Sequence, residues 1–132
     1  MKVLLVEDDD CIIEAFKKAA AEINVSVVSF EPAWLGNEKI CAQLEELCRE
    51  ENFDVALLDS RLWFPITGTL FVALFFMIDL PFIAFSNSDY DNQVLKNTGA
   101  IMSVNKIDFM TSCKDNLMGL LKEFSDLKKI GA

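Results

Sequence analysis

The sequence predicts an α/β protein: a doubly wound, five-stranded parallel sheet with five helices, formed as a single domain over residues 1–132. Two observations carry this. Five short apolar runs alternate with five segments whose apolar residues recur at helical spacing. At 132 residues the chain also has the usual length of one domain with one core. Strict alternation of this kind calls for parallel strands, right-handed crossovers and helices on both faces of the sheet.

Lys2–Val6 is a continuous apolar run that ends in acids, as expected of a strand buried on both faces. Asp9 or Asp10 then caps a helix carrying Ile12, Phe16, Ala19, Ala20 and Ile23, and Asn24 ends it. Val25–Phe30 is rich in β-branched residues and reads as the second strand. After a loop through Asn37, Ile40, Leu44 and Leu47 form the inner stripe of a second helix, with Glu45, Glu46, Arg49 and Glu50 outside. Asp54–Leu58 is the third strand, and Ser60–Gly68 is a loop punctuated by Pro65 and Gly68. Thr69–Ile78 is a third helix, apolar nearly all round, with Leu70, Leu74 and Met77 inside and Val72, Phe76 and Phe75 outward. Phe82–Phe85 is the fourth strand. Asp89 or Asp91 opens a short helix that Gly99 closes, and Ile101–Val104 is the fifth strand. Ser112 with Asp115 resembles a capping box for a last helix through Leu117, Leu120, Leu121, Phe124 and Leu127.

Composition removes several function classes. Twelve Lys and Arg against 21 Asp and Glu give a formal charge of −9, which disfavours a nucleic-acid surface. There is no histidine, so Ser-His-Asp and Cys-His catalysis and histidine-bound zinc are excluded within the chain. Cys11, Cys41, Cys48 and Cys113 form no C-x-x-C pair and follow no apolar leader, so reduced, half-buried thiols in a cytoplasmic protein are expected. The apolar stretch from Leu62 to Phe85 is cut by Pro65, Gly68, Asp79 and Pro81 into pieces too short to span a membrane.

Open parallel sheets bind ligands beyond the carboxyl ends of their strands. Those positions hold Glu7 and Asp8 after the first strand, Asp59 after the third, Ser86 and Asn87 after the fourth, and Asn105 and Lys106 after the fifth. Three converging carboxylates repel one another unless a cation lies among them, and a hard divalent ion such as Mg²⁺ takes oxygen ligands. With an ion, Lys106 and the Ser86 hydroxyl present, a phosphoryl group is a compatible guest and Asp59 a suitable nucleophile.

These segments resemble the response-regulator receiver domain of two-component signalling. Val3-Leu4-Leu5-Val6-Glu7-Asp8-Asp9 is similar to the family's first strand and acidic pair, and Phe53 to Leu62 to the strand ending in its phosphorylated aspartate. Leu80-Pro81-Phe82-Ile83-Ala84-Phe85-Ser86 resembles the fourth strand with its Ser/Thr switch residue. Gly99-Ala100 followed by Lys106 resembles the segment bearing the phosphate-binding lysine.

The resemblance implies a flavodoxin-like sheet of order 2-1-3-4-5 and a single receiver domain that is not an enzyme beyond its own phosphorylation and slow dephosphorylation. It implies phosphorylation of Asp59 from the phosphohistidine of a histidine kinase or phosphotransfer protein, with Ser86 and Lys106 assisting. It also implies a Mg²⁺ site made by Glu7, Asp8, Asp59 and the backbone carbonyl of Arg61. The alternative is a pseudo-receiver that binds a protein independently of phosphorylation. Ser103 where the family often has Tyr or Phe, Asn87 after the switch serine, Ile107 for proline and a longer loop after Asp59 are departures. Trp63 in that loop is expected to report on the pocket, and the outer face of the third helix to serve a homodimer or an effector.

Overall fold

The computed structural model describes residues 1–32, 36–62 and 67–131. Its sheet is all parallel in the order β2-β1-β3-β4-β5, with β1 Lys2–Val6, β2 Ser26–Phe30, β3 Val55–Leu58, β4 Phe82–Ser86 and β5 Met102–Asn105. This is the expected flavodoxin-like order. The helices are α1 Asp10–Glu22, α2 Asn37–Glu50, α3 Val72–Met77, α4 Asp89–Asn97, α5 Lys106–Thr111 and α6 Cys113–Lys129.

The apolar strands are buried on both faces because each divides its side chains between two cores. Leu4 and Val6 of β1, Ala56 and Leu58 of β3, and Phe82 and Ala84 of β4 pack with α2, α3 and Leu95 of α4. Their neighbours Val3, Leu5, Val55, Leu57, Ile83 and Phe85 pack with α1, Phe109 of α5, and α6. The alternation follows from the two-residue period of a strand. No helix among the described residues is long and apolar enough to cross a membrane. None of the four cysteines is paired; Cys41 and Cys48 pack against the first core, whereas Cys11 is exposed, contrary to expectation.

Three helices end in one way. Val25, Leu80 and Ala100 each donate their N–H to the carbonyl five residues back, on Ala20, Phe75 and Leu95. The residue before each donor, Asn24, Asp79 or Gly99, has φ of 58°, 57° or 126°. This is the left-handed C-terminal cap that satisfies the last carbonyls of a helix. Asn24 and Gly99 were expected in that role. Asp79 was not, since an aspartate adopts this conformation less readily than glycine.

Four local expectations are corrected. The described residues form six helices rather than five, because Asn105 accepts a hydrogen bond from the Asp108 N–H at 3.1 Å and starts the short α5 directly after β5. Ser112 makes no side-chain cap to α6; Asn116 Nδ2 instead donates to the Asp108 and Phe109 carbonyls and joins the two helices. At α4 neither Asp89 nor Asp91 is the cap: Ser88 accepts from the Asp91 N–H. Finally, the third helix opens with a 3₁₀ turn over Gly68–Phe71. That turn advances three residues rather than 3.6 and shifts the phase of the α-helical residues after it. Val72 and Phe75 are therefore inside, and Met77 joins Phe76 outside.

Candidate functional site

The site is assembled by the ladder running one residue past its named strands. The Glu7 N–H donates to the Phe30 carbonyl, and the Asp59 N–H to the Val6 carbonyl at 3.1 Å. This continuation fixes both acids at the carboxyl edge of adjacent strands, with their side chains buried. The facing carboxylate oxygens of Glu7, Asp8 and Asp59 all lie within 4.8 Å of one another. Such a cluster is unstable without positive charge. Lys106, also buried, supplies it: Nζ donates to Asp59 Oδ2 at 2.7 Å and lies 2.8 Å from Glu7 Oε2. The same ammonium stands 5.6 Å from the centre of the Phe85 ring.

The second carboxylate oxygens of Glu7 and Asp59 meet main-chain donors. Glu7 Oε1 accepts from the Asp8 and Asp9 N–H groups, and Asp59 Oδ1 from the Arg61 N–H at 3.3 Å. Glu7 Oε2 lies beside the ammonium yet accepts no well-directed hydrogen bond among the described residues. Burial pushes the Glu7 carboxyl up to about 7; the neighbouring Asp59 charge adds to this, and Lys106 opposes it. Burial likewise raises Asp59, against the hydrogen bond and charge of Lys106 and with a small contribution from Asp8. Burial pulls Lys106 down, but its hydrogen bond to Asp59 and its pairing with the charges of Asp59 and Glu7 win and hold it above the usual lysine value.

Gly68 is part of this architecture rather than mere loop punctuation. Its N–H donates to the Ser60 carbonyl at 2.7 Å, and Arg61 bridges Thr67, which closes the loop at its base. A Cβ on Gly68 would stand 2.2 Å from the Asp59 carbonyl oxygen, so only glycine fits here without displacement.

The structure brings Glu7, Asp8, Asp59 and Lys106 together as expected. Ser86 ends β4, the strand beside β3, and its Oγ accepts from the Ser88 N–H at 3.2 Å. The Arg61 guanidinium turns away from the acids: Nε pairs with Asp91 Oδ2 at 2.7 Å. Asn87 is exposed and its carbonyl is held by Asn105 Nδ2, while Ser103 is exposed on β5. Trp34 and Trp63 lie outside the described residues. Asp91 and Asn92, buried in the first turn of α4, are partners of the site that the sequence reading does not name as such. Only the burial of Asn92 has a sequence signal, since it precedes the core residue Leu95 by three and so shares its inward face.

No protein-family model matches the chain, and no curated protein matches it significantly. Its likeness is to solved structures. The signal receiver domain of a modulated diguanylate cyclase from Desulfovibrio desulfuricans G20 is similar over 99% of this chain and 98% of its own, at 19% identity and a TM-score of 0.74. The chemotaxis protein CheY4 of Vibrio cholerae matches over 92% of this chain and 96% of its own, at 20% identity and a TM-score of 0.68. The HemR receiver domain of Leptospira biflexa matches over 89% and 90%, at 22% identity and a TM-score of 0.68. At these identities the likeness establishes the fold. The chain is built as response-regulator receiver domains are, over most of its length.

Proposed function

We propose that this chain is a phospho-acceptor receiver of a two-component phosphorelay, phosphorylated on Asp59 from a partner's phosphohistidine with Mg²⁺ present. The observation that carries the reading is the buried cluster in which Lys106 contacts both Asp59 and Glu7 beside Asp8. A structural salt bridge needs one acid for one lysine; three acids around one ammonium leave room for a second cation.

The donor set fits that cation. Glu7, Asp8, Asp59 and the Arg61 carbonyl offer only oxygen, as a hard divalent ion prefers, and Glu7 Oε2 still lacks a directed donor. Mg²⁺ there would offset the repulsion between the carboxylates and an arriving phosphoryl group. Asp59 then attacks phosphorus: a P–O bond forms as the P–N bond of the donor breaks, and its electron pair returns to the imidazole nitrogen, which takes up a proton. The Arg61 N–H on Oδ1 fixes the carboxylate plane. Lys106 and the Ser86 hydroxyl are the two donors for the phosphoryl oxygens.

The donor protein in this reading is a histidine kinase or phosphotransfer protein, and the chain is a signalling module rather than an enzyme in its own right. Phe76 and Met77, 62% and 67% exposed on α3, are the apolar side chains available there to an effector or a second copy. The test is intact-mass analysis after incubation with phosphoramidate, with and without Mg²⁺. One phosphoryl adduct, dependent on Mg²⁺ and lost in Asp59→Asn, is expected. An adduct of undiminished yield in Asp59→Asn overturns the assignment to Asp59, and none in the wild type overturns the reading and favours a binding module that ignores phosphate.

A further inference from the structure

The first turn of α4 carries a buried carboxamide that the phosphoryl chemistry leaves unused. Asn92, 6% exposed, accepts from the Ser86 N–H at 3.1 Å and donates through Nδ2 to the Ser86 carbonyl at 3.1 Å and the Val104 carbonyl at 3.0 Å. Both of its N–H donors are thus used, and its oxygen is engaged. Ser86 is the last residue of the β4–β5 ladder, in register with Asn105. At that end the Asn92 amide acts as a neighbouring peptide would, gripping the donor and the acceptor of Ser86 while also reaching Val104 on β5.

Resting on the receiver function, we propose that Asn92 is the positioning residue that sets Ser86 for the phosphoryl group on Asp59. Its side-chain hydrogen bonds among the described residues go to Ser86 and Val104, not to the acids. Pinned at both main-chain groups, Ser86 has its Oγ accepting from the Ser88 N–H, which leaves the hydroxyl proton free to be donated. The third bond reaches Val104, two residues before Lys106, so one side chain registers the strand ends that carry both phosphoryl donors. The neighbouring Asp91 holds Arg61 across the loop after Asp59, which ties the same turn to the third strand end. The first turn of α4 therefore joins β3, β4 and β5 where the phosphoryl group arrives.

The test is a double-mutant cycle on phosphoramidate phosphorylation with Mg²⁺, using Asn92→Ala, Ser86→Ala and both. Asn92→Ala is expected to slow the adduct by about tenfold to a hundredfold, as misplacement of a donor does. Mg²⁺ affinity should be unchanged, and Ser86→Ala in that background should add little, because Asn92 acts through Ser86. The amide of Ser86 should also exchange with solvent at least tenfold faster in Asn92→Ala while core amides keep their protection. If Asn92→Ala lacks a cooperative melt, Asn92→Ser, which keeps a small polar group in the first turn, takes its place. A wild-type rate in a folded Asn92 variant, or losses that multiply with those of Ser86→Ala, overturns the inference alone. A wild type that takes no phosphoryl group removes the function and the inference together.

Discussion

Lys106 sits buried between two buried carboxylates, and that position decides how the pocket responds to pH and to mutation. Burial raises Glu7 to about 7 from an ordinary 4.5. The folded chain thus holds this proton more tightly than the unfolded chain, and stability conferred by the protonated form is lost as pH rises from about 4.5 through about 7. Urea midpoints of the wild type relative to Glu7→Gln should fall across that window; a difference flat with pH refutes the burial of charge at this position. The raised value of Lys106 has the same sign, its stabilisation being complete below the ordinary lysine value and lost as pH rises above it, so it acts only in the alkaline range. Lys106→Met strands two acids without their counter-charge. A loss of about 3–5 kcal/mol in neutral buffer is expected, shrinking in acid as the carboxylates protonate. Equal losses at both pH values would show that the ammonium does not balance the acids. At this scale the sequence was informative: Glu7, Asp8, Asp59 and Lys106 follow strands that any periodicity reading finds. The Arg61–Asp91 pair and the Asn92 grip were not legible, since both join residues about thirty or six positions apart through side-chain directions that no local pattern fixes.

The elements that sequence reading located best are those whose burial period is unambiguous. Strands β1, β3 and β4, buried on both faces, were legible to within about a residue of their ends, and α6 was legible by its one apolar stripe over 17 residues. The segment after Gly68 misled because it is apolar on every side, so nothing in it betrays the phase shift of its 3₁₀ start. Short α5 was missed for a related reason, since the Asn105 cap that separates it from the strand is a single side-chain bond. Two glycines turn these element-scale differences into a paired test. Gly68→Ala drives a Cβ against the Asp59 carbonyl and should cost about 1–3 kcal/mol as overpacking does, while slowing phosphorylation of Asp59. Gly119, inside α6 with nothing near its missing Cβ, should gain up to about 1 kcal/mol when replaced by alanine, with phosphorylation unchanged. Thermal melts of the two variants distinguish them; a neutral Gly68→Ala would mean that the loop after Asp59 yields freely.

On the scale of the whole molecule, a parallel sheet gathers its functional groups at one edge because every strand points the same way. Glu7, Asp59, Ser86 and Lys106 stand at the carboxyl ends of four neighbouring strands and need no long loop to meet. The chain pays for that convergence in charge, having a formal −9 overall and three acids around one ammonium. Exposed acids spread over a surface respond to ionic strength alone, because salt screens them whatever the cation. A formed oxygen site responds to the cation itself, stabilising the fold by RT ln(1 + [L]/Kd) as the ion concentration rises. Melting in MgCl₂ against NaCl of equal ionic strength should therefore raise the wild-type midpoint by several degrees, as about 1–2 kcal/mol does in a domain of this size. The excess should vanish in Asp8→Asn, which removes one ligand while leaving the Lys106 pairs to Glu7 and Asp59 in place. It should also shrink below pH 7, where Glu7 keeps its proton and offers the ion no charge. If MgCl₂ and NaCl shift the midpoint equally at every pH, the three carboxylates hold no divalent ion, and the buried lysine is their sole counter-charge.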